Sequence, residues 1–178
     1  MVIRTERLIL RAWKSEDLAA YAEMNADPAV REFFPSLLTR EQSDAEVRRF
    51  QEGYERDGFC LFAAELVANG AFGGFIGMQT MNFEIPGVPQ PAVEVGWRLR
   101  KEYWGKGLAT EGARAVVRFA FETAELKELV AITVAANVRS RRVMEKIGMR
   151  RTAQLDFDHP RIAEGHPLRR HVVYVIEA

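Results

Sequence analysis

The sequence predicts a single mixed α/β domain, spanning 1–178, with a largely antiparallel sheet of about seven strands flanked by helices. Two observations predict this fold class. Apolar residues alternate with polar ones in several short segments, as in strands, and recur at helical spacing in others. These segments follow the order strand, helices, three strands, helix, strand, helix, two strands, which is typical of a mixed layer. The length of 178 residues suits one domain.

Start and stop signals define the elements of the first half. Thr39 and Gln42 form a capping box, which marks a helix start. Asn69-Gly70 joins two apolar runs and predicts a hairpin. The predicted elements are a strand at Ile3–Ala12, a helix capped by Ser15, a short helix from Asp27-Pro28 that ends before Pro35, a helix from Thr39 that Asp57-Gly58 stops, and strands at Phe59–Val67 and Ala71–Asn82.

The second half begins with a proline-rich loop, which separates the hairpin from the next strand. Strand and helix periods then alternate to the end of the chain. The predicted elements are a strand at Ala92–Arg100, a helix from about Ala109 to Glu122, a strand at Leu129–Val134, a helix capped by Asn137 and closed by Gly148, a strand at about Met149–Phe157, and a last strand at His171–Ile176.

Composition excludes several function classes. Lys plus Arg and Asp plus Glu are both 25, so the net charge of +0 gives no reason to expect a nucleic-acid partner. The single cysteine, Cys60, excludes an internal disulfide and fits a reducing compartment. The longest apolar run, Leu129 to Ala136, is too short to span a membrane. We therefore expect a cytoplasmic protein without a membrane partner.

A glycine-rich segment organises the second half of the chain. Gly105 and Gly107 stand where the strand Ala92–Arg100 gives way to a helix. The first N–H groups of a helix have no partner, and with the positive end of the helix dipole they form an anion site. Glycine lets a phosphate approach the backbone closely, and Lys106 adds a positive charge. The segment therefore predicts a phosphate-binding loop.

Two common phosphate-binding motifs do not fit this loop. The Walker motif requires Ser or Thr after its Gly-Lys pair, but Gly107 follows Lys106. A dinucleotide fingerprint requires a third glycine at the position of Thr110. The loop therefore lacks the defining residue of each motif.

The segment instead resembles the pyrophosphate loop of the GNAT superfamily, the acetyl-CoA-dependent N-acetyltransferases. Trp104, Gly107 and Ala109 take the first, fourth and sixth places of that loop, although the first place is usually Arg or Gln. Tryptophan at the start is similar to the subgroup related to ribosomal-protein N-terminal (alanine/serine) acetyltransferases. Further matches at Thr5–Trp13, at Asn137-x-x-Ser140 and at Glu145–Met149 extend the resemblance over nearly the whole chain.

This resemblance implies the GNAT fold, in which the fourth and fifth strands splay apart and admit acetyl-CoA as cosubstrate. Here these would be the strands at Ala92–Arg100 and Leu129–Val134. The resemblance implies no metal. The implied cofactor-binding residues are Trp97, Arg98, Leu99, Trp104, Gly105, Lys106, Gly107, Leu108, Ala109, Thr110, Asn137, Ser140, Arg142 and Lys146.

Glu94 is the candidate general base. It lies at the middle of the strand that the family places beside the reacting carbon, where a partly buried carboxylate has a raised pKa and accepts a proton. The alternative is a polar residue on the solvated face of an alternating strand.

Ser140 is the candidate partner of the CoA sulfur. Many family members use a tyrosine four positions later as the acid, but Met144 stands there and cannot donate a proton. Either Ser140 or solvent must therefore protonate the leaving thiolate.

The remaining candidates are weaker. Arg142 and Lys146 are phosphate contacts or parts of a solvated basic face. His159 and His166 lie in a loop that borders the acceptor pocket in this family, and they either touch the acceptor or are merely solvated.

The predicted function is acetyl transfer to a primary amine by direct attack in a ternary complex, by a monomer or homodimer. An α-amine, in a peptide or small molecule, is favoured over lysine, because its pKa of about 7.7–8.0 lets a modest base suffice. The alternative is a non-catalytic acyl-CoA-binding domain, which would keep the loop and lose the base and acid. Met144 favours that alternative, whereas Glu94 and Ser140 argue against it.

Overall fold

The computed structural model describes residues 2–178. Its strands form one sheet, with helices on both faces. In chain order they are β1 (Ile3–Arg4), β2 (Leu8–Arg11), α1 (Asp17–Ala26), α2 (Arg40–Asp57), β3 (Leu61–Leu66), β4 (Phe72–Thr80), β5 (Val93–Leu99), α3 (Leu108–Glu122), β6 (Glu128–Val134), α4 (Val138–Lys146), β7 (Arg150–Arg151), β8 (Phe157–Asp158) and β9 (Arg170–Glu177). Short 3₁₀ turns occupy Lys101–Tyr103 and Ala153–Leu155.

The sheet confirms the predicted mixed, largely antiparallel class. Its strand order is β1-β2-β3-β4-β5-β6-β9-β7, with β8 paired to β9. Among the described strands, only the β5–β6 pair is parallel.

The strand count exceeds the expected seven because two predicted strands are each divided. The segment predicted at Ile3–Ala12 turns back on itself, so that Ile3 pairs with Leu10 across β1 and β2. The segment predicted at Met149–Phe157 contains a 3₁₀ turn between β7 and β8. Period-2 patterning cannot show such a turn, because the alternation continues on both sides of it.

The predicted splay lies between β5 and β6, the fifth and sixth strands once β1 and β2 are counted separately. These parallel strands pair at one position, Glu94 with Val130, close to the start of each strand. Towards their carboxyl ends they pair no further within residues 2–178. The gap therefore opens towards the ends from which α3 and α4 begin.

Two predicted helix starts are wrong. Ser15 does not cap α1, whose N-cap is Glu16 without a side-chain hydrogen bond. The short helix from Asp27-Pro28 is absent from the described chain, where residues 28–33 form turns. The Asp27 Oδ1 accepts the N–H of Ala29 at 2.8 Å, a local bond that favours a turn over a helix.

The other helix boundaries are confirmed. Thr39 and Gln42 exchange both bonds of the capping box at the start of α2. Gly58, with φ of 78°, ends that helix in the left-handed conformation. Asn137 caps α4, and Gly148 follows its end with φ of 95°.

The sheet separates two sets of side chains on β5. A Cβ on Gly112 of α3 would lie 2.4 Å from Ile76, whose cross-strand partner is Trp97, so α3 covers the Trp97 side. Glu94 and Arg98 therefore point to the opposite side. There α1 and α2 pack on β4, while a smaller core cluster that includes Ile85, Val130, Phe157 and Val173 covers β6 and β9.

Candidate active site

The glycine loop places an uncapped helix start beside the splay. Gly105 and Gly107 have φ of 71° and 78°, which favours glycine. Gly107 is the N-cap of α3 and gives no side-chain cap. Within the described chain, no side chain or carbonyl accepts from the first N–H groups of α3, at Leu108, Ala109 and Thr110. These donors are available to an anion.

Arg7 and Glu111 fix this loop, and sequence reasoning missed both. The Nη1 of Arg7 donates to the carbonyl of Lys106 at 2.9 Å, and its Nε donates to Glu111 at 2.6 Å. Thr5 also donates to Glu111, at 2.6 Å. Burial raises the pKa of Glu111, but the hydrogen bonds from Thr5 and Arg7 outweigh it and lower that pKa. A signal was present in the sequence, since Arg7 lies in the matched segment Thr5–Trp13 and Glu111 directly follows Thr110 of the loop.

An open groove of about 750 Å³ runs from the loop along α3. Four cationic residues, one predicted and three not, line it with Gly107 and Thr110: Arg7, Arg114, Arg118 and Lys146. Arg114 donates to the carbonyl of Lys146 at 2.7 Å and so joins α3 to the end of α4. Arg142, also predicted, is exposed and does not line the groove.

Trp104 lies where the loop meets β5. Its Nε1 donates to the carbonyl of Leu99 at 2.8 Å, and the Arg139 guanidinium lies 4.4 Å from the centroid of its ring. Arg139 in turn forms an ion pair of 2.7 Å with Glu32, in the segment between α1 and α2. Trp104 is thus held in place rather than free in the groove.

Of the three predicted cofactor residues of β5, Trp97 and Leu99 present their backbone N–H groups to the gap. Arg100 donates its N–H to Gly73 next to β4, so by alternation the N–H groups of Trp97 and Leu99 face β6. The side chains do not share this position. Leu99 is buried in the core, and Arg98 donates to Asn25 on the opposite face at 2.8 Å.

Glu94 lies at the vertex of the splay, and only part of it is exposed. The Nε2 of Gln79, its cross-strand partner, donates to the Glu94 Oε2 at 3.1 Å. Burial raises the pKa of Glu94, while the Gln79 hydrogen bond and the Arg98 charge act in the opposite direction. The carboxylate is therefore not on a fully solvated face, the alternative considered from the sequence.

Ser140 lies in the first turn of α4, which follows β6. The Asn137 Oδ1 accepts the N–H of Ser140 at 3.2 Å, and the Asn137 Nδ2 donates to Thr133 at 3.0 Å. The hydroxyl of Ser140 is partly exposed and has no hydrogen bond with any described residue. Met144 is 2% exposed and packs in the core, so it takes no part in the cleft.

The loop histidines have different surroundings. The His159 ring lies 4.7 Å from Phe83 and 5.0 Å from His171, a β9 residue that sequence reasoning missed. Burial, then the charges of His171 and Arg161, lower the pKa of His159 to about 4. Both rings accept a backbone N–H two residues on, His159 from Arg161 at 3.2 Å and His166 from Leu168 at 3.1 Å. His159 is therefore part of a packed ring cluster rather than solvated.

Over residues 2–178, no group of three or more His, Cys, Asp and Glu side chains could hold a metal ion. No helix in the same range is long and apolar enough to cross a membrane.

Comparisons with known proteins identify the family of the chain. Residues 7–150 match the model of the acetyltransferase (GNAT) domain. The uncharacterized N-acetyltransferase YnaD of Bacillus subtilis is 30% identical over 155 residues, which cover 85% of this chain and 84% of YnaD. The structure of a GNAT-family acetyltransferase from Bacillus anthracis matches with a TM-score of 0.80 and 28% identity, covering 99% of this chain and 98% of that one.

A ribosomal L7/L12 α-N-protein acetyltransferase, RimL, in complex with coenzyme A shares the fold, with a TM-score of 0.76 at 14% identity. The match covers 99% of this chain and 98% of that chain. The sequence match and the splayed sheet lead to the same conclusion: the chain belongs to the GNAT acetyltransferase family.

Proposed function

We propose that the protein transfers the acetyl group of acetyl-CoA to a primary α-amine, in a peptide or small molecule, by direct attack in a ternary complex. One observation carries this proposal. The gap between β5 and β6 has a partly buried carboxylate, Glu94, at its vertex and the starts of α3 and α4 at its open end. The gap thus brings together a base, backbone donors and an anion site.

The residues present fit acetyl-CoA. The free N–H groups at Leu108, Ala109 and Thr110 suit its pyrophosphate, and Lys146 lies in the same groove to contact a phosphate. The N–H groups of Trp97 and Leu99 face the gap, where they can donate to a carbonyl oxygen as charge develops on it. Acetyl-CoA supplies the thioester, and the chain supplies position and proton transfer.

Glu94 accepts the proton of the attacking amine, directly or through one water. Burial raises the pKa of this carboxyl and so makes it a stronger base than an exposed glutamate. Gln79 holds one carboxylate oxygen and leaves the other, Oε1, for the amine. Since an α-amine with a pKa of about 7.7–8.0 is partly deprotonated at neutral pH, a base of this strength suffices.

Ser140 donates a hydrogen bond to the departing thiolate. The amine nitrogen forms a bond to the acetyl carbon and loses its proton to Glu94, the carbon–sulfur bond breaks, and the thiolate takes a proton from solvent, relayed by the Ser140 hydroxyl, which regains its own. Ser140 is suited to this because its hydroxyl is not engaged by any described residue and lies at a helix start, where negative charge is stabilised.

Support for a peptide α-amine comes from fold similarity to RimL, named as a ribosomal L7/L12 α-N-protein acetyltransferase. A cytoplasmic location fits the lone Cys60, which is buried as a free thiol.

A pair of matched peptides tests the function. One has a free N-terminus and a blocked lysine, and the other has a blocked N-terminus and a free lysine. We expect thiol release and a product one acetyl group heavier with the first peptide, and the same peptide should be inert with Glu94→Gln. Preference for the lysine peptide would contradict the proposed acceptor. A non-catalytic acyl-CoA-binding domain would release no thiol with any amine.

A further inference from the structure

A buried cationic cluster lies on the Glu94 side of β5, outside the groove and the vertex. It consists of Arg31, in the turn after α1, and Arg98, on β5. Arg31 is 6% exposed and the Arg98 side chain 11%. Both guanidinium carbons lie 4.3 Å from the centroid of the Phe34 ring, which therefore contacts both cations. Phe34 itself is 38% exposed, so this ring separates the cluster from solvent.

The cluster has more positive than negative charge. Its carboxylate is Glu46, 3.6 Å from Arg98, and Glu46 already accepts from Tyr21 at 2.6 Å and lies 3.9 Å from Arg49. Arg31 makes no ion pair with a described carboxylate and donates instead to a carbonyl, that of Ser36, at 3.0 Å. A buried cation without a partner is unfavourable unless an anion arrives.

The cluster also lacks hydrogen-bond acceptors. The Nη1 of Arg31 and the Nε of Arg98 are buried donors without an acceptor in the described chain. Burial, then the charge of Arg98, lowers the pKa of Arg31 to about 10, although the charge of Glu46 acts in the opposite direction. Arg31 therefore still carries its charge at neutral pH. Two guanidinium groups with free donors form a site for a carboxylate, the anion that their planar geometry matches.

The site lies at a defined distance from the proposed base. Arg98 and Glu94 point to the same face, four residues apart, which is about 13 Å along a strand. The Arg98 guanidinium lies over its cross-strand partner, Phe75, 5.1 Å from the ring centroid, and its charge also acts on Glu94. An extended peptide advances about 3.3 Å per residue, so this backbone separation of about 13 Å sets an upper limit of about four residues between the amine and the carboxylate.

We propose that Arg31 and Arg98 bind a side-chain carboxylate of the acceptor, so that the preferred acceptors are peptides with Asp or Glu at the second to fourth residue. This inference rests on the proposed function, with the amine at Glu94 and the chain extended along β5. Because the Phe34 ring contacts both guanidinium groups, entry of the carboxylate requires this partly exposed ring to move. A free α-amino acid does not fit, because its carboxylate is too close to its amine to span the distance.

Amidated hexapeptides with a free N-terminus test the inference. One Asp is placed at position two, three or four, and each peptide is paired with its Asn isostere. Acetylation is followed by thiol release from acetyl-CoA. We expect kcat/KM about tenfold to a hundredfold higher for the best Asp peptide than for its isostere, as hydrogen bonds to charged groups give. Arg31→Gln should bring this ratio close to one. Arg31→Lys keeps the charge but not the planar, bidentate guanidinium group, and should give an intermediate ratio.

Arg49→Gln is the matched control, because Arg49 also lies beside Glu46 but is 58% exposed. It should keep the full ratio. Equal rates for the Asp and Asn peptides would overturn the inference, and so would a ratio that is unchanged in both Arg31 variants. In either case, acetylation of the peptides would still support the proposed function. Faster acetylation of free aspartate than of any peptide would also overturn it. If no amine causes thiol release from acetyl-CoA, both the proposed function and this inference are wrong.

Discussion

The helices α3 and α4 begin at the same end of the splay, yet their starts are built differently. The start of α3 has a glycine N-cap and no side-chain cap, so its N–H groups remain available. The start of α4 is capped by Asn137, whose side chain accepts from Ser140. Of the nearby cations, Arg139 binds Glu32 and Arg141 donates to the carbonyl of Ala135. Within the described chain, a side chain thus caps the start of α4, whereas none caps the start of α3.

The two helix starts are suited to different roles in the reaction. A free helix start beside a basic groove supports binding of a large anion, whereas a capped start that presents one hydroxyl supports a single contact at the reacting sulfur. We therefore expect substitutions at α3 to change cosubstrate affinity, and those at α4 to change turnover or stability.

The largest expected effect is at Gly107. Gly107→Glu places a carboxylate among the N–H groups that we assign to the pyrophosphate, and like charges a few ångström apart should raise the Kd for acetyl-CoA about 10³-fold. Calorimetric titration measures the affinity. Gly107→Ala is a control that shows how much affinity is lost from a side chain at φ of 78° when no charge is added. Val138→Glu adds the same charge to exposed Val138 at the start of α4 and should leave the Kd unchanged. Equal losses at both helices would remove the proposed difference between them.

Ser140→Ala should act mainly on turnover. If the hydroxyl serves the thiolate as it leaves, kcat should fall about 10²-fold, with a smaller change in the KM for acetyl-CoA. Steady-state kinetics at saturating acceptor separate the two constants. Unchanged kcat would assign proton donation to solvent and leave the α4 start with a structural role alone.

Lys146 and Arg142 form a matched pair of exposed cations on α4. Lys146 lines the groove beside Gly107, whereas Arg142 does not. Lys146→Gln should weaken acetyl-CoA binding about threefold to tenfold at low salt, with less effect at high salt, because exposed charges are screened. Arg142→Gln should change the Kd less than twofold. A larger effect from Arg142 would place the phosphates on the other side of α4.

The smallest expected effect concerns stability. Asn137→Ala removes the cap of α4 and should lower the free energy of unfolding by about 1 kcal/mol, which lowers Tm by about 2–4 °C in a domain of this size. Thermal denaturation with and without acetyl-CoA measures it, and Asn137→Ser should recover most of the loss. A Tm equal to that of the parent protein would show that the cap does not stabilise the start of α4.

Sequence reasoning succeeded where a signal is local. The Thr39 capping box, the Gly58 stop, the glycine turn and the Asn137 cap all depend on residues within a few positions of one another. It failed where competing local bonds exist, as at Asp27, whose carboxylate favours a turn. It also failed where a strand reverses without losing its alternation, as in β1 and β2.

The sequence by itself determined the fold class, the loop at Gly107 and the position of Glu94 on its strand, because periodicity and turn chemistry are properties of neighbouring residues. Only the tertiary structure decided what surrounds them. Arg7 reaches Lys106 and Glu111 across about 100 positions of chain. Gln79 reaches Glu94 through β-sheet register, and Arg31 meets Arg98 around the ring of Phe34. Contacts of this kind depend on how elements pack, which the spacing of residues along the chain does not show.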